Sequence, residues 1–162
     1  MTEVLFVCTG NVFRSLAAEL AVARVLSSDP TFSVSSAGTA DRPELEVRGD
    51  VLAHLGSHAL DASRHRRRQL TEGLLERSDV IIAMSTPHQV EIAERFMREV
   101  PLYTACAGVG EVALPDVDEL FKPEEFLTEP ALAYVRDTID RIIEMAPAVA
   151  AGIMGRQSAT RS

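Results

Sequence analysis

The chain has 162 residues, of which 46% are hydrophobic and 25% charged, with a net charge of −8 at pH 7. That length and balance suit one globular domain with a sizeable core. The acidity argues against general affinity for nucleic acid, no apolar run reaches membrane-spanning length, and two cysteines far apart make neither a disulfide framework nor a metal pattern.

The first apolar run, Val4-Leu5-Phe6-Val7, reads as a buried strand, and residues 15–26 read as a helix. Between them stand Cys8, Thr9, Gly10, Asn11, Val12, Phe13, Arg14 and Ser15. The N–H groups of such a loop converge on one point, and the helix N-terminus adds a dipole that favours an oxyanion. The same field favours thiolate over thiol and makes Cys8 a candidate nucleophile. Arg14 offers a planar fork to two phosphate oxygens, and Ser15 is placed to cap the helix. The C-x5-R spacing suggests phosphate-ester hydrolysis through a cysteinyl-phosphate. The alternative for Cys8 is a small buried hydrophobe.

Ser28-Asp29-Pro30 breaks the pattern, Phe32-Ser33-Val34-Ser35 alternates as a short strand, and residues 36–43 form a loop by composition. Helical periodicity returns over residues 44–55, with Val47, Val51, Leu52 and Leu55 on one face and Gly56 closing it. A basic run, Arg64-His65-Arg66-Arg67-Arg68, precedes a short helix ending near Arg77. Val80-Ile81-Ile82-Ala83-Met84 is the next clear strand, after which Ser85-Thr86-Pro87 supplies a cap and a first-turn proline for a helix to about Met97. Pro101-Leu102-Tyr103 is a candidate fourth strand, and residues 110–128 are irregular. Pro130 starts a long helix whose Leu132, Val135, Ile139, Ile142, Ile143 and Ala146 form an apolar stripe. The expected domain is 1–154, with a polar, disordered tail over 155–162.

Strands alternating with helices argue for an open parallel α/β sheet, whose ligands bind beyond the carboxyl ends of its strands. The Cys8 loop, the Ser36 loop, Ser85 and the stretch after Tyr103 all follow strands and so fall on that face. A reduced, cytoplasmic location is expected, since a thiolate enzyme needs one.

The run from Val4 to Ser15 resembles the signature of the low-molecular-weight protein tyrosine phosphatase family. The resemblance continues at Ser36-Ala37-Gly38-Thr39, at His65-Arg66-Arg67-Arg68-Gln69-Leu70 and at Asp79-Val80-Ile81-Ile82-Ala83-Met84. It implies a three-layer fold, a four-stranded parallel sheet with helices on both faces and a phosphate-binding loop after strand 1. It further implies a two-step mechanism without metal or cofactor, acting on a phosphotyrosine protein or a small aryl phosphate. Cys8 would attack phosphorus, while Arg14 and the loop N–H groups from Thr9 to Ser15 would hold the phosphoryl oxygens. Ser15 would hydrogen-bond the sulfur and make it a better leaving group. Asn11 would hold the loop in a strained shape, with Ser36 and His65 as partners. Asp116, in Leu114-Pro115-Asp116, would be the general acid, and Asp118 is the competing candidate.

The sequence departs from the family pattern at several points. Phe13 stands where many relatives carry a second loop cysteine, and Leu16 replaces a proline. Asp116 is followed by Val117 and Asp118 in place of Pro-aromatic, which leaves Phe121 as the candidate ring wall, and Arg42 sits near another expected aromatic. Arsenate reductases on this scaffold need two further cysteines after the third strand, where residues 85–88 have none. Protein-arginine phosphatases favour Thr at the position of Val12. They supply the second choice of substrate, and a phosphate-binding module without turnover is the non-enzymatic reading.

Overall fold

The computed structural model describes residues 1–160, with side chains as far as Arg156. The alternation along β1 (Thr2–Cys8) decides the architecture. Leu5 and Val7 join one apolar cluster, while Val4, Phe6 and Cys8 join another, and all five are buried. A strand buried on both faces has to be central. β1 accordingly pairs in parallel with β2 (Phe32–Gly38) on one side and β3 (Val80–Ala83) on the other. The face of Val4, Phe6 and Cys8 is covered by α1 (Arg14–Val25), α2 (Gly49–Ser57), α5 (Tyr103–Cys106) and α7 (Glu129–Thr160). The opposite face is covered by α3 (Glu72–Arg77) and α4 (Thr86–Phe96), through Leu75 and Ile92.

The α7 stripe runs on past the expected residues. Val135, Ile139, Ile142, Ala146, Val149, Ala150 and Ile153 are all buried, whereas Leu132 and Ile143 are half-buried. Each large side chain so buried contributes about 1.5–3 kcal/mol. Tyr103 ties this helix to the sheet. Its ring meets Phe6 edge-on at 5.7 Å, and its hydroxyl donates to the Ile142 carbonyl at 2.8 Å.

Several expectations need correction. Among the described residues the sheet has three strands, in the order β2-β1-β3. The fourth is reduced to a single bridge between Ala83 and Leu102. Pro101 has no N–H to extend a ladder, and the chain turns into α5 at Tyr103. β2 runs through Gly38, into the stretch expected as a loop. α2 starts at Gly49 rather than at residue 44. Leu45 and Val47 are half-buried two residues apart, which is the spacing of extended chain. Ser85 occupies the N-cap of α4, yet its hydroxyl makes no cap bond. The irregular stretch contains α6 (Val117–Leu120) and a 3-10 turn at Pro123–Glu125. Of the expected tail, 155–160 continue α7 and residues 161–162 lie outside the described residues. No helix among the described residues is long and apolar enough to cross a membrane.

Candidate active site

The carboxyl end of β1 delivers Cys8 into a tight loop that closes on its own sulfur. The Asn11 N–H donates to Cys8 Sγ at 3.3 Å, and Ser15 Oγ lies 2.9 Å from the same atom. Asn11 makes the turn possible. It adopts the left-handed region at φ 57°, which Asn tolerates better than most residues. Its amide nitrogen donates to Ser15 Oγ at 3.0 Å and to Ser36 Oγ at 2.7 Å, and its side-chain oxygen accepts from the Arg68 N–H at 2.8 Å. His65 Nε2 donates to the Asn11 carbonyl at 2.8 Å. Ser36 in turn donates to Glu19. Since Ser15 Oγ accepts from Asn11, its own hydrogen is free for the sulfur. Two donors therefore face Cys8, an arrangement suited to negative charge on sulfur.

Ser15 thus lies inside α1 and serves the loop. The cap position belongs to Phe13, without a side-chain cap bond. Two further supports, Arg67 and Gly38, lie within the family motifs but have no role assigned to them by the sequence. Arg67 donates from Nε to the Gly10 carbonyl at 3.0 Å and from its terminal nitrogen to the Ala40 carbonyl and to Gln69, so it braces the loop. In a run of basic residues, nothing marks it from its exposed neighbours Arg66 and Arg68. Gly38 ends β2 directly beneath the loop. A Cβ there would stand 2.6 Å from the Thr9 carbonyl oxygen.

Arg14 is fully buried. One terminal nitrogen donates to the Leu114 carbonyl at 2.8 Å, and the other to Thr9 Oγ1 at 3.4 Å and to the Asp116 carboxylate. Its Nε has no partner among the described residues. A buried donor without an acceptor beside a loop of N–H groups is suited to an incoming anion. The 114–116 segment is held in place by Tyr134, whose hydroxyl donates to the Pro115 carbonyl at 2.6 Å. Asp116 also caps α6, accepting the Val117 N–H at 2.8 Å.

The remaining candidates fall around this centre. Asp118 is exposed; partial burial first, and then repulsion from Asp116, raise its pKa. Phe121 is half-buried and packs against Tyr134, with centroids 6.1 Å apart. Arg42 pairs with Glu44 at the surface. Val12 lines a groove with Leu45, Leu52 and His65. One contributor was not singled out from the sequence. His88 Nε2 lies 2.9 Å from Thr9 Oγ1, and burial together with the Arg14 charge lowers its pKa to about 3. A lone histidine in an amphipathic helix gives no warning of this.

Comparison with known proteins agrees with the geometry. Residues 3–116 match the family model described as low molecular weight phosphotyrosine protein phosphatase. A probable low molecular weight protein-tyrosine-phosphatase, EpsP of Ralstonia solanacearum, is 30% identical over 138 residues, covering 85% of this chain and 90% of the relative. In fold, the chain is similar to the YwlE arginine phosphatase from Geobacillus stearothermophilus, with TM-score 0.78, 22% identity, and 98% and 97% of the two chains covered. It is also similar to Vibrio vulnificus Wzb in complex with benzylphosphonate, with TM-score 0.75, 21% identity, and 92% and 97% covered. The matched residues, 3–116, include the cysteine loop, the basic run and β3, and so the chain belongs to the low molecular weight phosphotyrosine protein phosphatase family.

Proposed function

We propose that this chain hydrolyses phosphotyrosine in proteins through a cysteinyl-phosphate intermediate. The observation that carries the reading is the convergence on one loop of Cys8 with its two donors, the Asn11 N–H and Ser15, and of buried Arg14 with its unpartnered Nε. The Cys8 sulfur attacks phosphorus as the bond to the phenolic oxygen breaks, and Asp116 gives that oxygen its proton. Arg14 and the loop N–H groups, Thr9 to Ser15, bind the three phosphoryl oxygens and the charge they gain in the transition state. In the second step Asp116 takes a proton from water, the water oxygen attacks phosphorus, and the S–P bond breaks to release phosphate. Ser15 steadies the departing sulfur. Asn11, with Ser36 and His65, keeps the loop in shape. A thiol nucleophile fits a reducing cytoplasm, where we place the activity.

The test is vanadate-sensitive hydrolysis of p-nitrophenyl phosphate by the wild type, abolished in Cys8→Ser. Equal inertness of both proteins, with phosphate still bound, would leave only a binding module.

A second reading, phosphoarginine, has one observation in its favour. The segment after Pro115 presents two carboxylates, Asp116 and Asp118, with Phe121 turned onto Tyr134. A guanidinium leaving group suits carboxylates better than a phenol ring does. Rates on phosphotyrosine, phosphoarginine and phosphoserine peptides separate the readings, with phosphotyrosine expected to lead.

A further inference from the structure

Away from the phosphate loop, the described residues bring together one set of side chains with metal-ligand chemistry. His54 lies in the last turn of α2 and His58 caps it, four positions on, so both rings project from one side of the helix end. Asp140, on α7, reaches both. Its Oδ1 lies 2.6 Å from His54 Nε2 and 2.8 Å from His58 Nε2. The rings stand edge to face, with centroids 5.1 Å apart, and the three donor atoms lie within 4.8 Å of one another. From this convergence we infer that His54, His58 and Asp140 form a binding site for a divalent transition metal of the zinc class, which joins α2 to α7.

The donor set decides the class of ion. Two imidazoles and one carboxylate suit zinc, cobalt or nickel, whereas calcium and magnesium require oxygen ligands. Two histidines one helical turn apart are a recurrent way of presenting nitrogen to zinc. Three protein ligands leave a fourth tetrahedral position to water. The carboxylate lowers the net charge of the metal centre to +1. The negative end of the α2 dipole favours the positive charge that remains.

The geometry needs a modest adjustment. Bonds of about 2.0–2.1 Å to a tetrahedral zinc place ligand atoms roughly 3.3 Å apart, so the Nε2–Oδ1 separations have to open by about 0.5–0.7 Å, and the two imidazole nitrogens, within 4.8 Å of each other, have to close by up to about 1.5 Å. Asp140, with a side chain 48% exposed, has the room to move. The helices themselves are fixed. Val51 and Leu55 anchor α2 in the core, and Ile139 and Ile142 anchor α7. Arg24 of α1 donates to the His58 carbonyl at 2.6 Å, and Ser57 to the His54 carbonyl at 2.6 Å. A carboxylate oxygen only accepts, so each Nε2 carries its hydrogen in the metal-free protein. Binding moves that hydrogen to Nδ1, and the rings ligate as neutral imidazoles.

Metal-free full-length protein titrated with Zn²⁺ by calorimetry tests the site. We expect one equivalent to bind in the wild type and in Cys8→Ser, with the thermal midpoint raised by about 5–10 °C at a hundredfold excess of free zinc over Kd. Asp140→Asn and His58→Gln should each weaken binding by more than the roughly tenfold that loss of an outer-shell partner costs. Co²⁺ bound to the wild type should give four-coordinate visible bands without a thiolate charge-transfer band. Zinc uptake unchanged in both variants overturns the site, as does uptake lost in Cys8→Ser or none in the wild type.

Discussion

At the scale of single residues, the sharpest choice is between Asp116 and Asp118, two acidic residues in one short segment. The raised pKa of Asp118 suits a proton donor, but that carboxyl is exposed, and solvent screens the repulsion from Asp116. Reach comes before acidity in choosing a general acid. Asp116 meets Arg14, the residue that would hold the phosphoryl group. Asp116→Ala should therefore lower kcat on phenyl phosphate by about 10²–10⁴, and Asp118→Ala by less than roughly tenfold. Steady-state rates across leaving groups check this, because the Asp116 effect should shrink as the leaving oxygen becomes less basic. A larger loss in Asp118→Ala would transfer the role. Asp116 could be picked out from sequence only through the family resemblance of Leu114-Pro115-Asp116, with Asp118 as its competitor. The hydrogen bond from Arg14 to the Leu114 carbonyl could not, since it joins residues a hundred positions apart.

At the scale of elements, the first strand and its loop were legible because their chemistry is local. An unbroken apolar run can only be a buried strand here, and Gly and Asn mark the turn that follows. Sequence misplaces the start of the second helix because Val47, which alternates with Leu45 as in extended chain, also satisfies a helical spacing. In the fold both residues belong to extended chain that leans on the loop, where Leu45 would stand 3.3 Å from a Cβ at Gly10. Close approach of β2 to the loop was equally hidden, and it yields a test. In Gly38→Ala the new methyl would press on the Thr9 carbonyl, the Gly10 backbone at 3.0 Å and Asn11 Cβ at 3.1 Å. None of these is the far end of a flexible chain, so the loop has to shift. We expect a stability loss of about 1–3 kcal/mol by urea denaturation and a fall in kcat of about 10². Gly56→Ala, in α2 with no atom near its added methyl, should keep full activity and lose no stability. Equal behaviour of the two variants would remove Gly38 from the loop's support.

At the scale of the whole molecule, parallel topology gathers the ends of β1, β2 and β3 and so brings His88 of α4 against Thr9. That neighbour has a thermodynamic consequence for the entire fold. His88 is 2% exposed, and burial first, then the charge of Arg14, lower its pKa from 6.5 to about 3. Between those values the unfolded chain binds a proton that the folded protein refuses. Stability is thus fully present above pH 6.5, is lost as the pH falls below it, and stops falling on this account near pH 3. Well inside the window the loss is about 1.4 kcal/mol per pH unit. Carboxylates titrate in the lower part of the same range, so the slope of the wild type alone does not identify the group. The comparison with His88→Gln does, because every other titrating group is common to both. From pH 6.5 to pH 5 the wild type should lose about 1.5 kcal/mol more than the variant, whatever their difference at neutral pH. Urea midpoints at closely spaced pH values measure it. Parallel curves would mean that His88 takes up its proton within the folded protein, and the Thr9 contact would then have to survive a charged imidazole beside Arg14.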